Sequence, residues 1–149
     1  MSIESANDIE GLLRIGRIVG LAIRAMRDAL EPGVTTAELD AIGERFLIEH
    51  GARSAPQLAY KFPGATCISV NDEVAHGIPG DRVIEPGDIV NLDVSAELDG
   101  YFADSGETFA VPPVKPETER LLETTRRALA RAIEAATAGN RINAIGRAV

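Results

Sequence analysis

The sequence predicts an α+β fold, and three features support that prediction. Two segments near the start each begin with a Ser/Thr–Asp/Glu pair and then place apolar residues at helical spacing. The middle of the chain, between residues 66 and 109, alternates apolar and polar residues around turns rich in glycine and proline, as strands do. A further helical stripe lies between residues 121 and 133. We therefore expect one compact unit of helices and strands.

The first predicted helix begins after Ser5, with Asp8 three residues later as in a capping box. Pro32-Gly33 ends it, because proline cannot continue a helix and glycine favours a turn. Between these signals, apolar residues recur every three or four positions and form a core-facing stripe: Ile9, Leu12, Leu13, Val19, Ile23, Met26 and Leu30.

The second predicted helix opens with the capping box of Thr35 and Glu38 and ends at His50-Gly51, where glycine suits a left-handed stop. His50 lies at the end of this helix, where the electrostatics of the helix terminus explain the presence of a histidine. Residues 52 to 63 show neither helical nor strand period, and we expect a loop there. Thr66 to Val70 predicts a short strand, and Val74 to His76 is a candidate for another.

The strongest hairpin signal is Asp99-Gly100, which separates two alternating runs. Counting outward from a two-residue loop places Ser95 opposite Asp104. Asp93 lies two residues before Ser95 and therefore on the same face of the sheet. Asp93 and Asp104 are thus predicted to form a diagonal cross-strand pair, close enough to share a ligand.

Two carboxylates at this spacing repel each other, and a bound cation is the simplest reason to keep both. The alternative is an ordinary solvated face near the strand ends. His76 precedes a rigid Gly-Ile-Pro-Gly loop of the kind that places a side chain beside a ligand. His76, Asp93 and Asp104 form the candidate site, since the chain contains no serine elbow, P-loop or dinucleotide fingerprint.

Other acidic and thiol groups carry no predicted chemistry. Glu73, Glu97 and Glu107 are expected to be solvated, and Cys67, inside an apolar strand run, is expected to be an inert buried thiol. At the far end, the long helix is predicted to stop at residues 138–140. Arg141 to Val149 is predicted to begin another helix, with Asn143 as its cap.

Composition limits the classes of function. The net charge of -8 and the lack of a lysine or arginine run argue against a nucleic-acid partner. No apolar run approaches the length that spans a membrane, and the acidic start does not resemble a signal peptide. The single cysteine favours a reducing compartment. Together these features predict a cytoplasmic protein.

Residues 71–79, 86–93, 104–105 and 108–109 resemble the pattern of type I methionine aminopeptidases. Residues 9–17, 32–40 and 139–142 resemble the same family in order and spacing, so the likeness covers nearly the whole chain. The resemblance implies a pita-bread fold, of which residues 1–149 would be the N-terminal half, a single incomplete domain with a curved antiparallel sheet flanked by helices. It also implies removal of the initiator methionine from peptides and nascent proteins.

The same resemblance implies a role for each site residue. Asp93 would ligate one divalent metal ion, Asp104 would bridge two, and His76 would contact the substrate near the scissile peptide. Two divalent ions are implied, of cobalt, manganese, iron or zinc, because carboxylates suit such ions. Residues near the pocket for the methionine side chain would be Tyr60, Phe62 and Cys67.

Two departures from the family pattern qualify this interpretation. Phe102 and Ala103 stand where the family usually has histidine and glycine. The family's remaining metal ligands, one histidine and two glutamates, come from the second half of the fold, so we expect this chain to be inactive alone. Two alternatives stay open, namely a non-catalytic pita-bread domain that binds peptides or proteins, and a relative of prolidase or aminopeptidase P.

Overall fold

The computed structural model describes residues 3–149, which divide into two compact units on either side of the Pro113–Val114 bond. In chain order, the first unit contains α1 (Ala6–Asp28), α2 (Thr36–Glu49), β1 (Arg53–Ser54), α3 (Ala55–Tyr60), β2 (Cys67–Val70), β3 (Ile89–Leu98) and β4 (Tyr101–Ala110). The second unit contains α4 (Pro116–Ala135) and α5 (Asn143–Ala148). The fold is α+β, as predicted.

The sheet is antiparallel and built around β3. Strand β4 pairs with β3 along its whole length, whereas β2 pairs with the first part of β3 and β1 with its last part. Ser95 lies opposite Asp104, which confirms the register predicted from the Asp99-Gly100 turn.

Alternation along β3 separates a buried face from a polar face. Val90, Leu92, Val94 and Ala96 are buried and join the hydrophobic core with residues of α1 and α2. The contact between α1 and the hairpin is close at Gly11, where an added Cβ atom would lie 2.4 Å from the Tyr101 ring. The helices therefore cover one face of the sheet and leave the other for the polar side chains of β3.

Both predicted capping boxes are present. The Ser5 hydroxyl accepts from the Asp8 backbone N–H over 3.3 Å, and the Asp8 carboxylate accepts from the Ser5 N–H over 2.8 Å. Thr35 and Glu38 make the same reciprocal pair at the start of α2. Each pair satisfies backbone donors that the first helical turn leaves without an intrahelical partner.

Two predictions in the middle of the chain were wrong. Residues 52–63 hold β1 and α3 rather than a loop, because a two-residue strand and a six-residue helix are too short to show a period. Helix α3 is signalled instead by Ser54, whose hydroxyl accepts from the Gln57 N–H. Residues 74–76 form no strand; the adjoining Gly77 carbonyl accepts a single bond from the Ile68 N–H of β2.

The second unit consists of α4 and α5. The prediction that Asn143 caps α5 was wrong, because Asn143 is the first helical residue and Ile142 occupies the cap without a side-chain bond. In α4, the hydroxyls of Thr124 and Thr125 donate to carbonyls one turn earlier. None of the helices within residues 3–149 combines the length and hydropathy needed to cross a bilayer.

Candidate functional site

The hairpin turn sets the geometry of the candidate site. Asp99 and Gly100 adopt φ values of 53° and 85°, which is the left-handed conformation that a two-residue hairpin loop needs. The Gly100 N–H donates to the Glu97 carboxylate over 2.6 Å, and the Arg53 guanidinium pairs with the same carboxylate at 2.7 Å. Glu97 is only 5% exposed, so the prediction that it is solvated was wrong. It links the turn to β1.

One side of the sheet, which we call the site face, carries the side chains of Cys67, Ser69, Asp93, Ser95 and Asp104. Cys67 on β2 lies directly opposite Asp93 on β3, and Ser95 lies opposite Asp104 on β4. Since side chains two residues apart share a face, this register brings the two aspartates together on three adjacent strands with the thiol. The site face is opposite to the face that α1 and α2 cover.

The two aspartates influence each other. Burial raises the pKa of Asp93, and the charge of Asp104 and a hydrogen bond with its side chain raise that pKa further. The His76 imidazole acts in the opposite sense and favours the ionised carboxylate. Two carboxyl groups in such proximity make ionisation of both costly, and a cation between them would remove that cost. This repulsion is the feature from which the sequence analysis inferred a bound cation, and metal binding by the pair stays a prediction.

Cys67 lies at the buried edge of the same face. It is 5% exposed, and burial, followed by the charges of Asp93, Asp104 and Asp40, raises the pKa of the thiol to about 11. The thiol is therefore protonated at neutral pH and behaves as a small apolar group. An inert buried thiol was the prediction from the sequence.

His76 lies in the loop that follows β2, and the loop holds it in an unusual conformation. Its φ of 55° is in the left-handed region, which residues with a Cβ atom seldom adopt. The next residue is pinned to β2, because the Gly77 carbonyl accepts from the Ile68 N–H at 3.0 Å and the Gly77 N–H donates to Ser69 Oγ at 3.1 Å. His76 itself is exposed to solvent.

The rest of the loop is held at both ends. Thr36 Oγ1 donates to the Gly80 carbonyl over 3.0 Å and accepts from the Gly80 N–H over 2.9 Å. At the other end the Asn71 side chain donates to Asp88 and accepts from the Ile89 N–H. These bonds hold the loop in place, whereas its glycine and proline residues indicate only that the chain turns there.

Two of the predicted pocket residues, Tyr60 and Phe62, lie at the end of α3 and not on the site face. Tyr60 ends α3 and is exposed, while Phe62 follows it and is half-buried. Their rings meet edge to face with centroids 6.2 Å apart. The structure thus joins these two rings to each other, whereas Cys67 joins the aspartates through strand register.

Sequence analysis missed Ser69 and Glu97. Ser69 could have been found from its position two residues after Cys67, which places it on the same face. Glu97 shares that face with Asp93 by the same parity, but the partner that buries its charge, Arg53, lies 44 residues away. Within residues 3–149, no three His, Cys, Asp or Glu side chains converge closely enough to hold a metal ion.

The family model of Metallopeptidase family M24 matches residues 10–149. Methionine aminopeptidase 2 of Bacillus subtilis strain 168 is 47% identical over 150 residues, which cover 100% of this chain and 60% of that relative. Methionine aminopeptidase of Clostridium perfringens strain 13 is 36% identical over 96% of this chain and 57% of its own length. The chain therefore spans about 60% of the length of the curated relatives.

Solved structures agree with these matches. The methionine aminopeptidase of Rickettsia prowazekii superposes with a TM-score of 0.93 at 34% identity, over 99% of this chain and 60% of that one. A prolidase from Pyrococcus furiosus gives a TM-score of 0.85 at 24% identity, over 98% and 42%. The prolidase likeness concerns the fold alone. The shared architecture is the pita-bread fold that the sequence pattern implied.

Proposed function

The chain belongs to metallopeptidase family M24, and from this premise we propose that it is part of an aminopeptidase that removes methionine from the N-terminus of peptides and nascent proteins. The proposal draws on the curated relatives named methionine aminopeptidase, of which the chain spans about 60%. The activity therefore concerns the whole pita-bread domain, of which residues 1–149 supply one portion. We propose that the whole protein acts in the cytoplasm.

The diagonal pairing of Asp93 and Asp104 on one face is the observation that carries this proposal. Carboxylate oxygens are hard donors that suit divalent manganese, iron, cobalt or zinc, and the mutual repulsion of the pair favours a cation. The residues therefore fit a metal centre as part of its ligand set. Two carboxylates do not complete two coordination spheres, so further ligands must come from elsewhere in the whole protein.

We propose that Asp93 and Asp104 would hold divalent metal ions, Asp93 as a ligand of one ion and Asp104 as a ligand shared by two. When bound, such ions supply Lewis acidity that polarises a peptide carbonyl and makes water a better nucleophile. The chain's own residues contribute orientation. His76 can donate a hydrogen bond to the carbonyl oxygen of the first peptide bond, where negative charge develops as the bond is attacked.

The side chain of the departing methionine needs an apolar surface beside the metals. The protonated thiol of Cys67 lies on the site face next to Asp93 and offers such a contact. Tyr60, the last residue of α3, and Phe62, two residues later, supply two rings in mutual contact, and we assign both to the same pocket. Thioether groups pack favourably on aromatic rings, which accords with a preference for methionine.

A chimera tests the proposal without assuming that the chain works alone. Residues 1–149 are joined to the C-terminal part of the Bacillus subtilis relative that lies beyond the matched region, and release of methionine from Met-Ala-Ser is measured with manganese or cobalt. We expect metal-dependent release that Asp93→Asn and Asp104→Asn abolish. A folded, metal-loaded chimera without release would refute the proposal.

One observation favours a second function, in which the domain binds peptides without cleaving them. The described residues bring only two carboxylates together, fewer donors than a metal ion requires. In that case the chimera would bind Met-Ala-Ser, with unchanged affinity in the two aspartate variants, and would release nothing. Cleavage of Xaa-Pro dipeptides but not of Met-Ala-Ser would instead indicate the prolidase-like alternative.

A further inference from the structure

Ser69 is a buried polar residue to which the preceding chemistry gives no role. It is 5% exposed, lies on the site face two residues after Cys67, and faces Asn91 across the β2–β3 ladder. Its hydroxyl accepts the Gly77 N–H over 3.1 Å. A buried hydroxyl in the sheet thus holds the backbone of the loop that carries His76.

The bond acts on the residue next to it. The Gly77 N–H belongs to the peptide unit that joins His76 to Gly77, so fixing that N–H fixes the ψ angle of His76. His76 already has the left-handed φ of 55°, a conformation that persists only where the surroundings impose it. On the other side of Gly77, its carbonyl accepts a hydrogen bond from the Ile68 N–H over 3.0 Å. Between these two bonds the loop backbone has little freedom.

The packing at Gly77 shows how closely the loop lies on β2. A Cβ atom added there would lie 2.1 Å from the Ile68 carbonyl oxygen. Only glycine allows this approach, which in turn brings the Gly77 N–H within reach of the Ser69 hydroxyl. Without that hydroxyl, the His76–Gly77 peptide could rotate while the Ile68 bond stays intact.

We propose that Ser69 is a positioning residue, whose hydroxyl locks the His76–Gly77 peptide and thereby holds the imidazole beside the Asp93–Asp104 pair. The proposal rests on the function assigned to His76 above. Ser69 does not touch the reacting atoms, and its effect passes through the loop backbone. Its loss should therefore change the turnover step more than it changes binding of metal ions or substrate.

The first test measures the loop directly in this chain, without metal or substrate. Amide exchange of Gly77 is followed by NMR in the unmodified chain, Ser69→Ala, Ser69→Thr and Ser54→Ala. We expect Gly77 to exchange about tenfold faster in Ser69→Ala, because its N–H loses a buried acceptor. Ser69→Thr keeps a hydroxyl and should restore protection. Ser54→Ala removes another buried serine hydrogen bond, to Ala65, and controls for general loosening.

The second test uses the chimera and separates this inference from the proposed function. We expect Ser69→Ala to lower kcat about tenfold, with KM and the manganese dissociation constant within about twofold of the unmodified chimera. His76→Ala should lower kcat at least as much. Ser54→Ala, which removes the cap of the helix that carries Tyr60, should leave kcat and the manganese dissociation constant nearly unchanged.

The outcomes are distinguishable. Unchanged Gly77 exchange in Ser69→Ala overturns the inference, as does an unchanged kcat in a chimera that His76→Ala impairs. Equal losses of kcat and manganese affinity in Ser69→Ala also overturn it, because they indicate a general structural role. A chimera without any methionine release refutes the proposed function, while the exchange experiment still decides whether Ser69 locks the loop.

Discussion

The Tyr101 hydroxyl donates a hydrogen bond to the Asp8 carboxylate over 2.9 Å, and this bond joins the β3–β4 hairpin to the first turn of α1. The same carboxylate accepts from the Ser5 N–H and hydroxyl as part of the capping box. Asp8 therefore serves the helix start and the sheet at once. Hydrogen bonds from Glu4, Tyr101 and Ser5 lower the pKa of Asp8 from 3.8 to about 2.

This arrangement predicts a pH-dependent loss of stability in Asp8→Ala. Because the pKa of Asp8 is lower in the folded chain, its contribution is complete above pH 3.8 and disappears as the pH falls through about 2. Asp8→Ala should melt at a lower temperature than the unmodified chain at pH 7, and the difference should close on acidification. Thermal unfolding by circular dichroism between pH 7 and 2 measures both effects.

Two further variants control this experiment. Tyr101→Phe removes one of the bonds to Asp8 and should give a smaller loss with the same pH trend. Glu10→Gln changes an exposed acidic residue on the same helix and should have little effect at any pH. A gap between Asp8→Ala and the unmodified chain that stays constant down to pH 2 would contradict the assignment.

The aspartate pair should show opposite effects on stability and on metal affinity. Burial and the charge of Asp104 disfavour ionised Asp93, so Asp93→Asn should raise the melting temperature of the metal-free chain in EDTA at pH 7. In the chimera the same change removes a proposed ligand, and manganese affinity should fall about tenfold or more. Thermal melts and isothermal titration calorimetry measure the two effects.

Asp104→Asn should behave in the same way, since the repulsion is mutual. Asp81→Asn removes one negative charge from an exposed position in the 71–88 loop and should change neither quantity appreciably. If both site variants melt below the unmodified metal-free chain, the carboxylates stabilise the fold and the argument from repulsion is wrong.

The features of the fold that depend on residues close together in sequence could be predicted from the sequence. The hairpin register follows from Asp99-Gly100, because a two-residue loop fixes which residues face each other. The capping boxes of α1 and α2 follow from residues three positions apart. The candidate pair of Asp93 and Asp104 needs only this local register, so it too could be predicted before the structure.

The missed features depend on contacts between different elements of the fold. From the sequence Glu97 is expected to be solvated, because its partner Arg53 is brought beside it only by β1. Strand β1 is two residues long, too short to be predicted from a pattern. The role of Ser69 depends on a loop that approaches β2 at Gly77, and the conformation of that loop is not periodic. The type of the longer elements follows from local pattern, whereas the shortest elements and the polar partners across elements require the tertiary fold.

Cys67 should react slowly with thiol reagents in the folded chain. A pKa raised from 9.0 to about 11 leaves about 100-fold less thiolate at pH 8 than a model thiol has, and burial slows access further. Ellman's reagent should therefore label Cys67 at least about 100-fold more slowly in the native chain than in the chain unfolded in urea.

The charge of Asp93 is the largest electrostatic contribution to the raised pKa of the Cys67 thiol after burial. Asp93→Asn should therefore speed native labelling, while labelling in urea should stay the same. Native labelling as fast as labelling in urea would show that β2 does not bury this thiol.

Gly77 and Gly80 offer a matched pair of substitutions within the loop that carries His76. A Cβ atom at Gly77 would lie 2.1 Å from the Ile68 carbonyl oxygen, which is backbone and cannot rotate away, whereas nothing lies within 4 Å of one at Gly80. Gly77→Ala should therefore displace the loop and destabilise the chain by about 2–3 kcal/mol, as overpacking does. Gly80→Ala should change the stability by less than about 0.5 kcal/mol. Urea unfolding gives both values, and equal stabilities of the two variants would show that the loop does not lie against β2.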